Sequence, residues 1–417
     1  MGSKQTGTML AAQYNKARPM TPPLDLKQRL TTFTAEQQDL LQWTDTPHQM
    51  LFWGHTAVEP PTDKITIGHE NTGYVVGVGK DVKGFKVGDL VGCLGCSYAC
   101  YDCEGCQVHN LFCEEATGKM HGFSCPGHFA EYSVSDYRNA MVLPKGMNPD
   151  TSAPLFCAGV TGQHPSLAHA AEIKGLTNVL SAYHAIRGCD LREGQWIAII
   201  GCGGLGHLAV QYAKALKLKV VGIDISKSQL DDAKSLGADY VINTLEERDY
   251  ETKIKKITGG GCHAAAVFSA SNAAYESATR TLRINGLLMV AGIPQRPLSI
   301  SALDILLGKY RIAGRSSGIP KNMPEAINFS HEHGIQVHMT TFQDINDIHR
   351  VIDLMNSGKA AGRFGILSQS RKIGILNFGV LFDEGAFDFQ PKQTLNDLFP
   401  EIKAMTAPEA LEIGWKK

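Results

Sequence analysis

No cysteine precedes Cys93, although the chain carries 11 of them in 417 residues. Charge of one sign is not in excess: Lys plus Arg number 40 and Asp plus Glu 41, a formal net charge of −1. That balance leaves no whole-chain electrostatic pull toward nucleic acid or an anionic membrane. No window reaches the ~18 consecutive apolar residues of a membrane span. The opening stretch MGSKQTGTMLAAQYNKARP lacks the apolar core of a secretory signal. These absences predict a soluble, cytoplasmic protein with no nucleic-acid or membrane partner. What is present is ordinary for a globular chain, with 43% hydrophobic and 19% charged residues, which excludes a mainly disordered protein. Glycine is abundant at 43 residues, which favours tight turns and close backbone approaches.

At roughly 150 residues per domain, this length predicts two or three domains. Residues 1–64 mix a proline-rich turn with a polar, helix-like stretch. From 65 onward, ITIGHENTGYVVGVGKDVKGFKVGDLVGCLG shows short β-branched runs broken by glycine, and HFAEYSVSDYRNAMVLP continues them. Such runs read as short strands of a barrel or sandwich. From 195 the pattern alternates: WIAIIG, VVGIDI, YVIN, AAAVFSA and LLMVAGI read as strands. GLGHLAVQYAKALK, SQLDDAKSLGA and AAYESATRTLRIN read as helices between them. That alternation predicts βαβ units and a parallel sheet.

Gly201-Cys202-Gly203-Gly204-Leu205-Gly206 matches GxGxxG directly after the apolar strand Trp196–Ile200 and opens the helix from His207. In that context the glycines permit a tight turn and close approach of backbone to a pyrophosphate at the helix N-terminus. Asp224 ends the next predicted strand, 18 residues after Gly206, where an acid binds a ribose 2′-hydroxyl. A carboxylate repels a 2′-phosphate, so NAD is expected over NADP.

Six of the cysteines lie between Cys93 and Cys113. With no secretory signal, this clustering reads as metal binding rather than a disulfide framework. Cys100-x2-Cys103-x2-Cys106-x6-Cys113 offers four thiolates in one loop, a set that suits tetrahedral zinc with no open position and hence a structural role. Cys93 and Cys96 are further candidates. Gly68-His69-Glu70 and the distant Cys157 are each weak signals when taken singly.

Together these motifs resemble the zinc-containing alcohol dehydrogenases of the medium-chain dehydrogenase/reductase family. The run Gly68-His69-Glu70-x2-Gly73-x5-Gly79-x2-Val82 looks like that family's zinc signature. FKVGDLVG, the cysteine loop, HFAEY, APLFCAGVT, IIGCGGLGHLAVQYAKA, VVGID and GKAAGRFGI follow in family order, covering about 65–366 apart from 162–181. The resemblance implies an α/β fold: a Rossmann doubly wound parallel sheet plus a β-rich GroES-like catalytic domain. The implied layout is a catalytic domain over 1–189 and a Rossmann NAD-binding domain over 190–330. Residues 331–368 return to the catalytic domain, and 369–417 form an unassigned extension. It further implies His69 and Cys157 as catalytic zinc ligands, with Glu70 as an alternate or neighbouring one. Cys100, Cys103, Cys106 and Cys113 would hold structural zinc. Gly201, Gly203, Gly204, Leu205, Gly206, Asp224 and Arg363 would bind NAD, Arg363 at the pyrophosphate. The implied partners are a small alcohol or aldehyde and further copies of the chain, as a dimer or tetramer. In this family a Cys₂His set with one open position carries the catalytic zinc, an arrangement well known for alcohol dehydrogenase.

The chain departs from the family pattern in places. The family's first catalytic cysteine, some twenty residues before the His, is missing. Gly54-His55-Thr56 resembles its remnant and His48 stands nearer the expected spacing. Segment 162–181 interrupts a join the family makes directly, about 50 residues follow Gly365, and the cysteine loop is one residue short before Cys113. The departures fall at block edges, as errors of gene structure would. Two other readings compete with an active dehydrogenase. One is a zinc-free reductase, which the cysteine loop and GHE run oppose. The other is a non-catalytic or gene-damaged member that binds NAD and structural zinc but lacks a complete catalytic site.

Overall fold

The computed structural model describes residues 69–78, 82–115, 118–122, 125, 127, 128, 132–156, 179–294, 296–315, 319–342, 347, 350, 363–366 and 372–376. Expectations for His48, His55, Cys157 and residues 162–178 lie outside them. The first part contains strands β1 (Asn71–Val78), β2 (Leu90–Cys93), β3 (Cys96–Ser97), β4 (Lys119–Met120), β5 (Tyr132–Asp136) and β6 (Ala140–Val142). Its short helices are α1 (Glu104–Val108) and α2 (Pro149–Ser152). After α3 (Val179–Arg187) strands and helices alternate: β7 (Trp196–Ile200), α4 (Gly206–Ala215), β8 (Lys219–Asp224), α5 (Lys227–Ser235), β9 (Tyr240–Asn243), α6 (Tyr250–Thr258), β10 (Cys262–Val267), α7 (Asn272–Thr281), β11 (Leu282–Val290), α8 (Ala302–Leu306) and β12 (Tyr310–Gly314). Helix α9 (Met323–Glu332) leads to β13 (Met339–Phe342), β14 (Arg363–Ile366) and β15 (Lys372–Leu376).

Strands β7 to β12 form a six-stranded sheet in the order β12-β11-β10-β7-β8-β9, parallel at every pairing. This is the doubly wound order, with its switch point between β7 and β10. The continuous apolar strands explain why both faces are covered. Along β7, Ile197 and Ile199 join Leu208, Ala209 and Tyr212 of α4 in one core. Ala198 and Ile200 join Ile254 of α6 and Tyr275 and Ala278 of α7 in the other. Successive side chains point to opposite faces, so a strand buried on both must be apolar throughout. Each fully buried Ile or Val contributes roughly 2 kcal/mol of transfer free energy.

The β-rich part builds a second sheet, β5-β15-β1-β2-β6, with β1–β2 and β2–β6 antiparallel. Its core meets the first Rossmann core in one continuous apolar cluster that includes Val75, Val91 and Phe156. Phe156 packs against β2: a Cβ at Gly92 would stand 2.1 Å from its ring.

Three local expectations change. The segment AAYESATRTLRIN is not one helix, because α7 stops at Thr281 and Leu282 already pairs with Cys262. Asn285 takes φ +60 and the register slips between Cys262 and Ala264, so a bulge follows where a helical pattern suggested another turn. Residues 179–181, assigned to the inserted segment, open α3, whose buried Ala182, Tyr183, Ala185 and Ile186 continue one helix face. Residues 372–376, in the extension left unassigned, form a strand between β1 and β5, parallel to both.

Candidate cofactor and metal sites

The glycine-rich turn joins β7 to α4 at the carboxyl end of the sheet, beside the switch point. Three of its four glycines have separate physical reasons. Gly201 sits at φ +89, a region L side chains rarely adopt. A Cβ at Gly206 would lie 1.9 Å from the Gly201 carbonyl oxygen, so helix and strand can pack this closely only here. A Cβ at Gly203 would meet nothing within 4 Å, which leaves that face of the turn open to a ligand. Leu205, at the N-cap of α4, provides no side-chain cap, and the helix dipole there favours an anion.

Asp224, half-buried at the end of β8, faces this turn. Its Oδ2 accepts from the Cys202 amide at 2.7 Å, and its Oδ1 accepts from the Ile225 and Ser226 amides at 2.7 and 2.9 Å. The carboxylate therefore pins the turn as well as presenting a negative charge beside it. These contacts make separable predictions. Gly203→Ala should leave the thermal midpoint within about 1 °C while weakening dinucleotide binding at least about tenfold, because its Cβ would enter only ligand space. Gly206→Ala should instead destabilise the fold, by overpacking against Gly201. Calorimetry alongside NAD titration checks both, and unchanged NAD affinity in Gly203→Ala would remove this turn from the binding site.

The four expected cysteines converge. The Sγ atoms of Cys100, Cys103, Cys106 and Cys113 all lie within 4.8 Å of one another, and Cys100 Sγ stands 3.8 Å from Cys106 Sγ. A tetrahedron with Zn–S of about 2.3 Å has an edge of about 3.8 Å, so the set fits a zinc ion. Backbone amides already point at the sulfurs: Cys100 to Cys113 at 3.2 Å, Cys103 to Cys100 at 3.3 Å and Glu114 to Cys103 at 3.3 Å. The Glu114 amide, and then that of Cys106, holds the Cys103 thiol down at about 7. Cys93 and Cys96 stay out of this group. They are buried in β2 and β3, where desolvation pushes both thiols up to about 12.

The loop is anchored from outside. Arg138 forks onto the buried Asp136 at 2.6 and 3.0 Å, lays its guanidinium over the Tyr101 ring at 4.3 Å and reaches the Cys100 carbonyl at 3.4 Å. Asn139 donates to the Tyr101 hydroxyl at 2.6 Å. Tyr101 itself takes φ +69, a strained conformation that this packing holds.

His69 and Glu70 precede β1 and are buried, 4% and 0% exposed. His69 packs on Gly95, where a Cβ would stand 2.9 Å from the His69 carbonyl oxygen and 3.0 Å from its Cβ. The Gly95 carbonyl in turn accepts from the His121 amide at 2.8 Å. The structure thus gathers two histidines the sequence reading passed over. His121 and His128 are buried with ring centroids 4.5 Å apart, and Ser97 Oγ lies 2.8 Å from His121 Nε2. Burial, followed by the imidazoles of His121 and His69, holds His128 well below the usual histidine range and hence neutral. The only signal for them was their place around HFAEY. Among the described residues the tetrad alone brings three or more ligand atoms within 4.8 Å; Cys157, expected beside His69 and Glu70, lies outside the described residues. The backbone of Arg363 opens β14, opposite Met339.

Comparison with known proteins fits this arrangement. Residues 29–145 match the alcohol dehydrogenase GroES-like domain and residues 204–332 the zinc-binding dehydrogenase domain. The first match begins within the stretch 1–64, whose proline-rich and helix-like pattern differs from the short strands that follow. An alcohol dehydrogenase of Geobacillus stearothermophilus is 35% identical over 298 residues, 71% of this chain and 80% of that protein. The fold is that of the alcohol dehydrogenase from the hyperthermophilic archaeon Aeropyrum pernix, with TM-score 0.67 and 24% identity over 87% of this chain and all of the other. It is equally that of a CAD from Helicobacter pylori complexed with NADP(H), with TM-score 0.66 and 21% identity over 87% of this chain and 98% of the other. These matches favour the dehydrogenase reading over a non-catalytic one. With a parallel six-stranded sheet, a glycine-rich turn backed by an acid and a tetrathiolate loop, the chain belongs to the zinc-containing alcohol dehydrogenases of the medium-chain dehydrogenase/reductase family.

Proposed function

We propose that this chain moves a hydride between a primary or secondary alcohol, or its carbonyl product, and NAD. The observation that carries the cofactor half is the Asp224 carboxylate held 2.7 Å from the Cys202 amide, beside the open face of Gly203. Gly201, Gly203, Gly204, Leu205 and Gly206 would receive the pyrophosphate together with Arg363, and Asp224 the adenosine ribose. Cys100, Cys103, Cys106 and Cys113 would hold one zinc as a structural ion. His69 and Cys157, with Glu70 beside them, would hold the other. Zinc there supplies a Lewis acid that lowers the pKa of a bound alcohol. His69 is buried, which keeps bulk water away from that side of the site.

The test is a spectrophotometric assay with ethanol or benzyl alcohol. NADH formation is expected with NAD, at more than about tenfold the efficiency with NADP, since a fixed carboxylate repels a 2′-phosphate. Asp224→Ala should narrow that ratio and also weaken both cofactors by releasing the turn. Asp224→Asn keeps one acceptor oxygen but turns its NH2 toward either the Cys202 amide or the Ile225 and Ser226 amides, so it too should narrow the ratio while loosening the turn. Equal or better turnover with NADP in the unaltered chain would overturn the NAD assignment. No turnover by a fully zinc-loaded chain that binds NAD would overturn the reaction.

Two coarser points extend this reading. No helix among the described residues is long and apolar enough to cross a membrane. A tetrathiolate metal loop persists best in a reducing compartment, which supports the cytoplasm. The edge strand β12 and the exposed Ile284, Leu303, Leu306 and Leu307 near it support self-association. Sedimentation should show a dimer or tetramer that Leu306→Glu weakens, and a monomer at micromolar concentration would reject it.

A further inference from the structure

Helix α4 carries more than the dinucleotide turn at its start. It also grips the segment that runs into β13. Gln211 uses both ends of its amide on one residue: Nε2 donates to the Gln336 carbonyl at 2.8 Å and Oε1 accepts from the Gln336 amide at 2.9 Å. One turn earlier, the buried His207 accepts at Nε2 from the His338 amide at 3.2 Å, with Nδ1 3.2 Å from the Gly203 carbonyl oxygen. A nitrogen that accepts from a backbone N–H carries no proton, so the proton sits on Nδ1 and is donated to Gly203. The His207 and His338 rings lie 5.3 Å apart, and His338 Nδ1 meets Asp232 of α5 at 3.0 Å. The next residue, Met339, stands opposite Arg363 in the parallel pair β13–β14. A short, continuous path of hydrogen bonds and one ladder rung thus joins Gly203 to the backbone of Arg363, 160 residues further along the chain.

We propose that His207 and Gln211 are positioning residues for dinucleotide binding, which hold β13–β14, and with it Arg363, at a set distance from the pyrophosphate turn. This rests on the reading that the turn and Arg363 bracket a pyrophosphate. The two residues have no need to touch the ligand: their role is to keep one half of an anion site in register with the other. A bracket assembled from two distant segments binds well only if their separation is established before the ligand arrives.

The test uses two probes, ADP-ribose, which has the pyrophosphate, and AMP, which has a single phosphate. Gln211 lies at the half-exposed end of the clamp, so Gln211→Met removes both bonds to Gln336 with little risk to folding. His207→Leu removes the buried pair. Each variant is expected to weaken ADP-ribose about tenfold and to leave AMP within about twofold. Arg363→Ala should also weaken ADP-ribose, and adding Gln211→Met to it should give no further loss, because residues acting through one group are not additive. Unchanged ADP-ribose affinity in Gln211→Met, equal losses for AMP and ADP-ribose, or losses that add fully with Arg363→Ala would each overturn the assignment. A wild-type chain that binds AMP but not ADP-ribose, or neither, would overturn the dinucleotide reading itself and this inference with it.

Discussion

Replacing Cys103 with serine is expected to remove one zinc per chain and most of the soluble protein. The four sulfurs already converge within 4.8 Å, and Cys103 is the one whose thiol is pulled down to about 7 by the Glu114 amide and then the Cys106 amide. It therefore enters the site as thiolate near neutral pH, where a serine hydroxyl stays protonated and ligates zinc poorly. Structural zinc binding in small domains is worth roughly 10–16 kcal/mol at neutral pH, so losing a quarter of the ligand set removes several kcal/mol from a protein of ordinary margin. The Arg138, Asp136 and Asn139 anchor keeps part of the loop in place, so the β-rich part should loosen around α1 rather than unfold from β1 outward. Metal analysis and thermal denaturation of the purified variant check this. Unchanged zinc content would show that Cys103 is not a ligand.

His69→Ala is expected to cost at least about a hundredfold in alcohol oxidation while leaving NAD affinity nearly unchanged. A catalytic zinc needs three protein ligands and one open position, and displacement of a reacting centre by about 1 Å can cost on the order of 10²-fold. His69 is buried against Gly95, in the β-rich part, whereas the glycine turn and Asp224 belong to the parallel sheet. The two functions should therefore separate in a KM-against-kcat analysis. Zinc content should fall toward the one ion held by the tetrad. Turnover within about threefold of the unaltered enzyme would remove His69 from the metal site. His128→Gln provides a useful neighbour: its ring stacks by His121, and a comparable loss there would show that the histidine cluster supports the metal set.

The Rossmann half was legible because its information is local. An apolar run such as Trp196–Ile200, a glycine turn and an amphipathic helix each announce themselves within one window, and the order of windows implies the sheet. The tetrathiolate was legible for the same reason, since all four ligands fall in one loop. The β-rich part was harder. Its strands are as short as Cys96–Ser97, and its pairing partners are distant in sequence. The strand Lys372–Leu376 shows the difficulty most clearly. KIGIL reads as any short apolar run, and nothing in it foretells parallel pairing with both β1 and β5. A helical reading that ran on into LRIN failed because the bulge at Asn285 depends on pairing with β10, which periodicity does not record.

By itself, then, the sequence determined the residue types and the spacings: thiolates close enough to share one ion, glycines where a turn must be tight, an acid at the end of the second strand. Only the tertiary structure decided which glycine faces open space and which seals helix to strand, that Asp224 pins the turn it faces, and that His121 and His128 gather around the surroundings of His69. It alone decided that Gln211 grips Gln336 across 125 positions of sequence. The reason is physical. Spacing encodes contacts made within a turn or a loop, where the chain's own geometry sets the distance. Many contacts between distant segments have a backbone amide or carbonyl on at least one side, which every residue carries alike, so that partner is chosen by packing and leaves no mark in the residue types.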